Sequence, residues 1–343
     1  MFDPRNILVI DFGQLGDVVM SLPALRAIRE KFPYAKITVT VGKPGKELLN
    51  LCSYANEILE VDRVGLRDGP TLVSVGRIAK FVLQARKQKF DFVIDLHSYY
   101  ETNLFGFLSG APYRLYSRRE NRSLDFLANF KPQPARENTT AHLVDRYLDM
   151  LKPLGIENVP RTPVLKTSPP DDKAVEAMLK KEKAQSRELL VGLFPGAGNA
   201  SRVWPLEKFA EVADNLIRND RVRVIVFAGP EERALVPQMR SVFPSGTIFF
   251  DRLTIPQLAS AQAHLTLFIS NDTGPAHIAA AVGTPVVVIL DRPDLNSFTP
   301  VGEQNRFIGG PLITNIPVAD VYRAAHELLA ISRTDQLFQA EHR

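Results

Sequence analysis

Short apolar runs alternate with longer amphipathic stretches along the whole chain, and the alternation restarts once near its middle. The first run, residues 7–10, ends in Asp11, Phe12 and Gly13, after which Gly16 and Asp17 open a stretch of helical periodicity over 18–31. This pattern predicts strand, loop and helix, with Asp17 in the loop. Runs at 37–41, 57–61 and 92–95 repeat the strand signature, separated by helix-length segments such as 71–88. Continuous apolar strands between helices predict a parallel sheet covered by helices. Four prolines between Pro160 and Asp172 interrupt any helix, so this stretch reads as an interdomain linker. The pattern then resumes with strands at 189–193, 223–227, 265–269 and 285–290. Two Rossmann-like α/β domains with parallel sheets follow, 1–165 and 166–343, with ligands expected in a cleft between them. An amphipathic stretch over 318–331 predicts a last helix; in a protein of two domains such a helix can pack back on the N-terminal domain, and the domains can then close on a ligand.

Composition adds limits. A chain of 343 residues is long enough for two domains at roughly 100–200 residues each. Lys and Arg exceed Asp and Glu by only 42 to 38, a surplus compatible with an anionic ligand or a membrane surface but too small to suggest nucleic acid. The single cysteine, Cys52, has no partner for an internal disulfide, and its apolar neighbours predict a buried thiol in a reducing compartment. No apolar run approaches the roughly 20 residues that span a bilayer, and the N-terminus lacks a leader pattern. The expectation is a cytoplasmic protein, with peripheral contact to the inner face of the cytoplasmic membrane as its closest approach to lipid.

The candidate chemistry of the second half lies at its strand ends. After the 189–193 run come Gly196, Gly198 and Asn199, whose position lets backbone N–H groups approach a ligand, and then Arg202 before Trp204 and Pro205. A guanidinium beyond a glycine loop suits phosphate oxygens; the alternative is a plain strand-to-helix turn. After the 265–269 run, Asp272, Thr273, Gly274 and Pro275 lead into a small-residue helix that includes His277. Unpaired N–H groups and the helix dipole make such a start an anion site, although Asp272 or Thr273 can equally be an N-cap and His277 a core residue. Both loops follow parallel strands, so one crevice can serve a diphosphate. Glu231, after the 223–227 run, is placed to accept hydrogen bonds from a ribose, or simply to favour a helix first turn.

These features, together with Leu22-Pro23-Ala24-Leu25-Arg26, Asp95-Leu96 and Asn271, resemble glycosyltransferase family 9, the heptosyltransferases, over nearly the whole chain. The resemblance implies a GT-B fold, an ADP-heptose donor on the C-terminal domain, an acceptor on the N-terminal domain and inversion at the anomeric carbon. It turns Asp17 from a helix N-cap into the candidate base, with Gly16 beside the acceptor. Arg202 and the Thr273-Gly274 helix start then oppose the leaving diphosphate, with no cofactor. No Asp-x-Asp pair is present to hold a metal. Arg118, Arg119 and Arg122 lie in a basic segment suited to an anionic glycolipid or oligosaccharide, or to solvent, and the resemblance adds His142. Three places depart from the family pattern: Arg202 stands for a lysine, Glu101 for a basic residue, and Asp291-Arg292-Pro293-Asp294 for a Phe-Gly-Pro-Thr-like turn. A nucleotide-sugar epimerase and a noncatalytic sugar-nucleotide-binding protein share the architecture and remain alternatives. A dinucleotide oxidoreductase is disfavoured by the missing third glycine after Gly13 and Gly16.

Overall fold

The computed structural model describes residues 2–62, 71–184, 188–292 and 297–341. The chain divides into two compact units, Met1–Pro163 and Val164–Arg343. In the N-terminal unit, β1 (Asn6–Ile10), β2 (Lys36–Gly42), β3 (Glu57–Val61), β4 (Phe92–Asp95) and β5 (Tyr113–Tyr116) form a parallel sheet ordered β3-β2-β1-β4-β5. Helices α1 (Leu15–Lys31), α2 (Lys43–Leu49), α3 (Thr71–Lys87), α4 (Tyr100–Leu108) and α5 (Leu143–Leu151) accompany it.

The C-terminal unit repeats the plan. Strands β6 (Leu190–Phe194), β7 (Arg223–Phe227), β8 (Ile248–Phe250), β9 (Leu267–Asn271), β10 (Val286–Leu290) and β11 (Arg306–Gly309) are parallel, in the order β11-β10-β9-β6-β7-β8. Its helices are α6 (Pro169–Lys181), α7 (Leu206–Asp220), α8 (Val236–Val242), α9 (Ile255–Ala263), α10 (Gly274–Ala281) and α11 (Val318–Glu341). Alternate residues of the central strands, Val191, Leu193, Val224, Val226, Leu267 and Ile269, share one core with Phe209, Met239 and Leu328. The intervening strand residues are buried as well, which is why the strands read as continuous apolar runs rather than alternating ones.

The structure differs from the sequence reading in ways that have local causes. Strands β5, β8 and β11 escape the apolar pattern because they are short, and β5 and β11 are only partly buried edge strands. Strand β9 runs two residues further than its apolar run, because Ser270 and Asn271 are polar yet fully buried. The proline-rich segment does not stay extended to Asp172. Pro169 and Pro170 open α6, where the first turn needs no N–H from them, and Ser168 Oγ accepts the Asp171 N–H at 3.3 Å. Helix α1 begins at Leu15 rather than Val18, with Gln14 as its N-cap. Asp17 therefore lies in the first helical turn, not in the preceding loop. Within its own unit the last helix meets buried Asp220, which accepts the Tyr322 hydroxyl at 3.1 Å and pairs with His326 Nδ1 at 2.8 Å and Arg333 at 3.5 Å. No described helix is long and apolar enough to cross a membrane.

Candidate active site

Four neighbouring strands of the C-terminal unit, β10-β9-β6-β7, end side by side, and the predicted donor residues lie on the segments that leave them. Asn271, the last residue of β9, ties two of these segments together. Its side-chain amide donates to the carbonyls of Pro195 at 2.9 Å and Gly196 at 3.1 Å, and its Oδ1 accepts the Trp204 backbone N–H at 3.0 Å. The Trp204 ring is fully buried, and its Nε1–H donates to the Ile316 carbonyl at 3.1 Å. The glycine loop and the arginine turn are thus clamped from below by one amide and one indole. The carbonyl of Asn199 accepts the Arg202 N–H at 2.9 Å in a single 3-10 turn, Ala200–Arg202, which leaves the Arg202 side chain about half exposed.

Gly196 leaves room there for the Glu232 side chain. A Cβ at that position would meet Glu232 Oε1 at 2.2 Å. Glu232, not Glu231, is the buried carboxylate facing the loop; it accepts the Gly229 N–H at 3.0 Å, and burial pushes its carboxyl up from the usual range. Glu231 points to solvent, because the turn after Pro230 sends the first of the two acids outward and the second inward. The sequence offers no signal to choose between adjacent acids in a turn.

At the end of β9, Thr273 is the N-cap of α10 by position, but its hydroxyl caps none of the helix N–H groups; Oγ1 is buried with no hydrogen-bond partner. Gly274 and Pro275 open the helix, and His277 is buried one turn in. Asp272 pairs with Arg292 at 2.8 Å. Arg292 and its neighbour Asp291, which depart from the family pattern close to where the donor is expected, stand at the end of β10 beside this site.

The N-terminal unit gathers a different set at the ends of β1, β4 and β5. Asp17 Oδ2 accepts the Gln14 N–H at 2.8 Å, which holds the carboxylate over the start of α1. Gly13 must be small, since a Cβ there would meet the Asp17 Cβ at 2.4 Å. Gly16 falls inside the first turn of α1, next to Asp17. Asp11, fully buried at the end of β1, accepts the Gly13 N–H at 3.0 Å. Asp95, fully buried at the end of β4, accepts the Ser98 N–H and the Asn103 side-chain amide, both at 2.8 Å. Burial nevertheless pushes its carboxyl up to about 7, against the lowering pull of these bonds, of Thr102 and of Arg119. In the sequence Asp11 is only a polar residue closing an apolar run, and Asp95 is part of the Asp95-Leu96 motif with no role attached.

Of the predicted acceptor residues, Arg118 and Arg122 are exposed, whereas Arg119 is not a solvated cation. Glu137 takes Arg119 and Arg146 together in a nearly dry cluster, with side-chain exposures of 3%, 10% and 11%. Arg119 and Arg122 both lie over the Tyr99 ring, 4.4 and 4.8 Å from its centre. His142 caps α5, its Nδ1 accepting the Val144 N–H at 3.2 Å. Tyr147 of α5 is buried near these groups; burial, then Asp11 and Asp17, push its hydroxyl well above the usual range. A cavity of about 330 Å³ opens beside Glu137 and Arg146, lined also by Ser117, Arg136, Met150 and Pro153. Arg118, Arg119, Arg122 and His142 do not line it. Among the described residues, no group of three His, Cys, Asp or Glu side chains is placed to hold a metal.

Residues 78–317 match the family model for glycosyltransferase family 9 (heptosyltransferase). Lipopolysaccharide heptosyltransferase 3 of Escherichia coli is 23% identical over 93% of this chain and 98% of its own. Among solved structures, a family 9 glycosyl transferase from Veillonella parvula superposes with a TM-score of 0.84 at 21% identity, covering 96% of this chain and 98% of its own. Escherichia coli heptosyltransferase WaaC with ADP-2-deoxy-2-fluoro heptose superposes with a TM-score of 0.72 at 18% identity, covering 94% and 99%. The two parallel α/β sheets are those of the GT-B class, and the chain belongs to glycosyltransferase family 9, the heptosyltransferases.

Proposed function

We propose that this glycosyltransferase moves heptose, with inversion and without a bound metal, from ADP-heptose to a lipopolysaccharide-core-type saccharide. The observation that carries the donor half is the set of neighbouring strand ends: the Gly196 loop clamped by Asn271, the start of α10 and Arg202. Backbone N–H groups, the positive end of a helix and a guanidinium oppose the charge that grows on a departing diphosphate. Asn199, Asp272 and His277 lie on the same segments and complete the donor site, with Glu232 replacing Glu231 as the acid beside it. The relatives' names support the substrates: one is a lipopolysaccharide heptosyltransferase and another was solved with an ADP-heptose analogue.

In this reading the acceptor hydroxyl attacks the anomeric carbon from the face opposite the diphosphate. The carbon–oxygen bond to the diphosphate breaks, ADP leaves with the bonding pair, and Asp17 takes the hydroxyl proton. Asp17 is suited to this because its bond to the Gln14 N–H fixes its orientation at a glycine-flanked strand end. Gly16, Arg118 and Arg122 belong to the acceptor side. Arg119 and His142 act there by holding the loop and α5 in place.

Peripheral contact with the inner membrane surface is part of the same reading. Helix α3 carries Arg77, Lys80, Arg86 and Lys87 with no acidic residue, and exposes Ile78 and Leu83. Helix α4 exposes Tyr100, Leu104, Phe107 and Leu108. Basic and apolar side chains exposed together suit an anionic lipid surface.

The test is incubation with ADP-heptose and a heptose-deficient core oligosaccharide, in buffer with and without EDTA. The expected product is the acceptor plus one heptose, with inverted anomeric configuration by NMR and the same rate in EDTA. Transfer from a UDP-sugar alone would overturn the donor, retained configuration would overturn the mechanism, and loss of activity in EDTA would overturn the metal-independent step.

A further inference from the structure

Strands β9 and β10 are paired with Asn271 beside Ile289, so Asp291 and Arg292 leave the sheet next to Asp272 and Thr273. There the Asp291 carboxylate is shared by two guanidiniums. Its Oδ2 lies 3.4 Å from Arg202 Nε and its Oδ1 3.5 Å from Arg292 Nη1. The same Nη1 lies 2.8 Å from Asp272 Oδ2. These contacts are unequal. The bond to Asp272 has ordinary hydrogen-bond length, whereas both pairs with Asp291 are longer than the roughly 2.7–3.2 Å of an N–H···O bond. Asp291 therefore stands between two arginines while bonding neither closely.

Two donors nearby lack acceptors. Arg292 Nη2 and Thr273 Oγ1 are both buried without a hydrogen-bond partner. A buried donor left so is destabilising, the more so when it is charged. Asp291 comes within hydrogen-bond length of neither guanidinium, whereas a diphosphate offers more oxygens spread over a wider span. Planar guanidinium forks also match phosphate oxygens two at a time.

We propose that Arg292 is a second donor-binding arginine, gripping the diphosphate together with Arg202, and that Asp291 is a resident competitor for both guanidiniums. The proposal rests on the nucleotide-sugar reading of this site and deepens it. Asp291 holds the arginines when no nucleotide is bound and takes them back as the product diphosphate leaves. Two adjacent residues then have opposite effects on nucleotide affinity: Arg292 raises it and Asp291 lowers it.

Calorimetric titration of the full chain with ADP and with AMP, on wild type, Arg292→Ala, Arg292→Lys and the isosteric Asp291→Asn, tests this. The expected result is ADP affinity about tenfold lower in Arg292→Ala and intermediate in Arg292→Lys, with AMP affinity changed much less. Asp291→Asn should bind ADP several-fold more tightly. Unchanged ADP affinity in Arg292→Ala would overturn the role of Arg292 while leaving the nucleotide site intact. Weaker ADP binding by Asp291→Asn would mean that Asp291 positions the arginines rather than competing for them, and would overturn its role. A wild type that binds neither nucleotide would remove the donor reading and this inference with it.

Discussion

The two units use the same parallel sheet, yet their strand ends are built in opposite senses. In the N-terminal unit the ends of β1 and β4 present acids, Asp11, Asp17 and Asp95, whose oxygens accept N–H groups from their own loops. In the C-terminal unit the corresponding ends present a glycine loop, a helix start and a run of alternating charges from Arg202 to Asp272. In the first arrangement each carboxylate accepts a backbone N–H from the residues that follow its strand. The second keeps buried donors without acceptors and suits a polyanion. One fold thus supports both halves of a group transfer, because the sheet fixes only where its loops begin and each loop's residues decide the chemistry.

The largest expected effect separates the two regions by function. Asp17→Asn should lower kcat by about 10²–10⁴-fold, the span usual for loss of a general base, while leaving ADP affinity within about twofold of wild type. Steady-state kinetics beside ADP titration would show it, and a parallel loss of ADP binding would break the division of labour. Stability comes next. Glu137→Ala strands Arg119 and Arg146 in a nearly dry cluster, which should cost about 3–5 kcal/mol in urea unfolding. A cost under 1 kcal/mol would show that water reaches those arginines.

Asp95 sharpens the comparison through pH. Its carboxyl is near the ordinary 3.8 in the unfolded chain and pushed up to about 7 by burial in the folded one. The folded state therefore holds the extra proton, and its stability is greatest below about 4, falls as pH rises through 7 and then levels off. The swing should be on the order of 4 kcal/mol, and Asp95→Asn should flatten it, as read from urea midpoints at several pH values. A pH-independent wild type would show that the bonds from Ser98 and Asn103 balance burial, and stability rising with pH would show that they outweigh it. The smallest effect lies in the other unit. Gly196→Ala should cost about 1–3 kcal/mol by forcing a methyl group into Glu232, and Glu232→Ala should restore part of the loss. A neutral Gly196→Ala would mean that the Glu232 side chain swings away without cost.

Most of the layered fold was legible along the chain, because β6 and β10 carry no polar side chain, β7 carries one only at its first residue, Arg223, and each pattern is complete within five residues. The segments bearing Arg202, Thr273 and Asp17 were legible too, since glycine, proline and a polar residue at a strand end mark a turn regardless of what packs on it. Edge strands such as β8 were not, because three residues carry too little pattern. Nor were the partners of the site residues. Whether Glu231 or Glu232 faces Gly196 depends on the path of a turn.

By itself, then, the sequence determined the two parallel sheets, the places where their loops begin and the family. Only the tertiary structure decided which charges meet. Trp204 is joined to Asn271 across 67 positions and to Ile316 across 112, Glu137 chooses Arg119 and Arg146, and Asp291 stands between Arg202 and Arg292. The reason is one of range. Backbone periodicity and turn chemistry act over a few residues and are written locally, whereas an ion pair depends on three-dimensional proximity and burial, which no short stretch of chain contains.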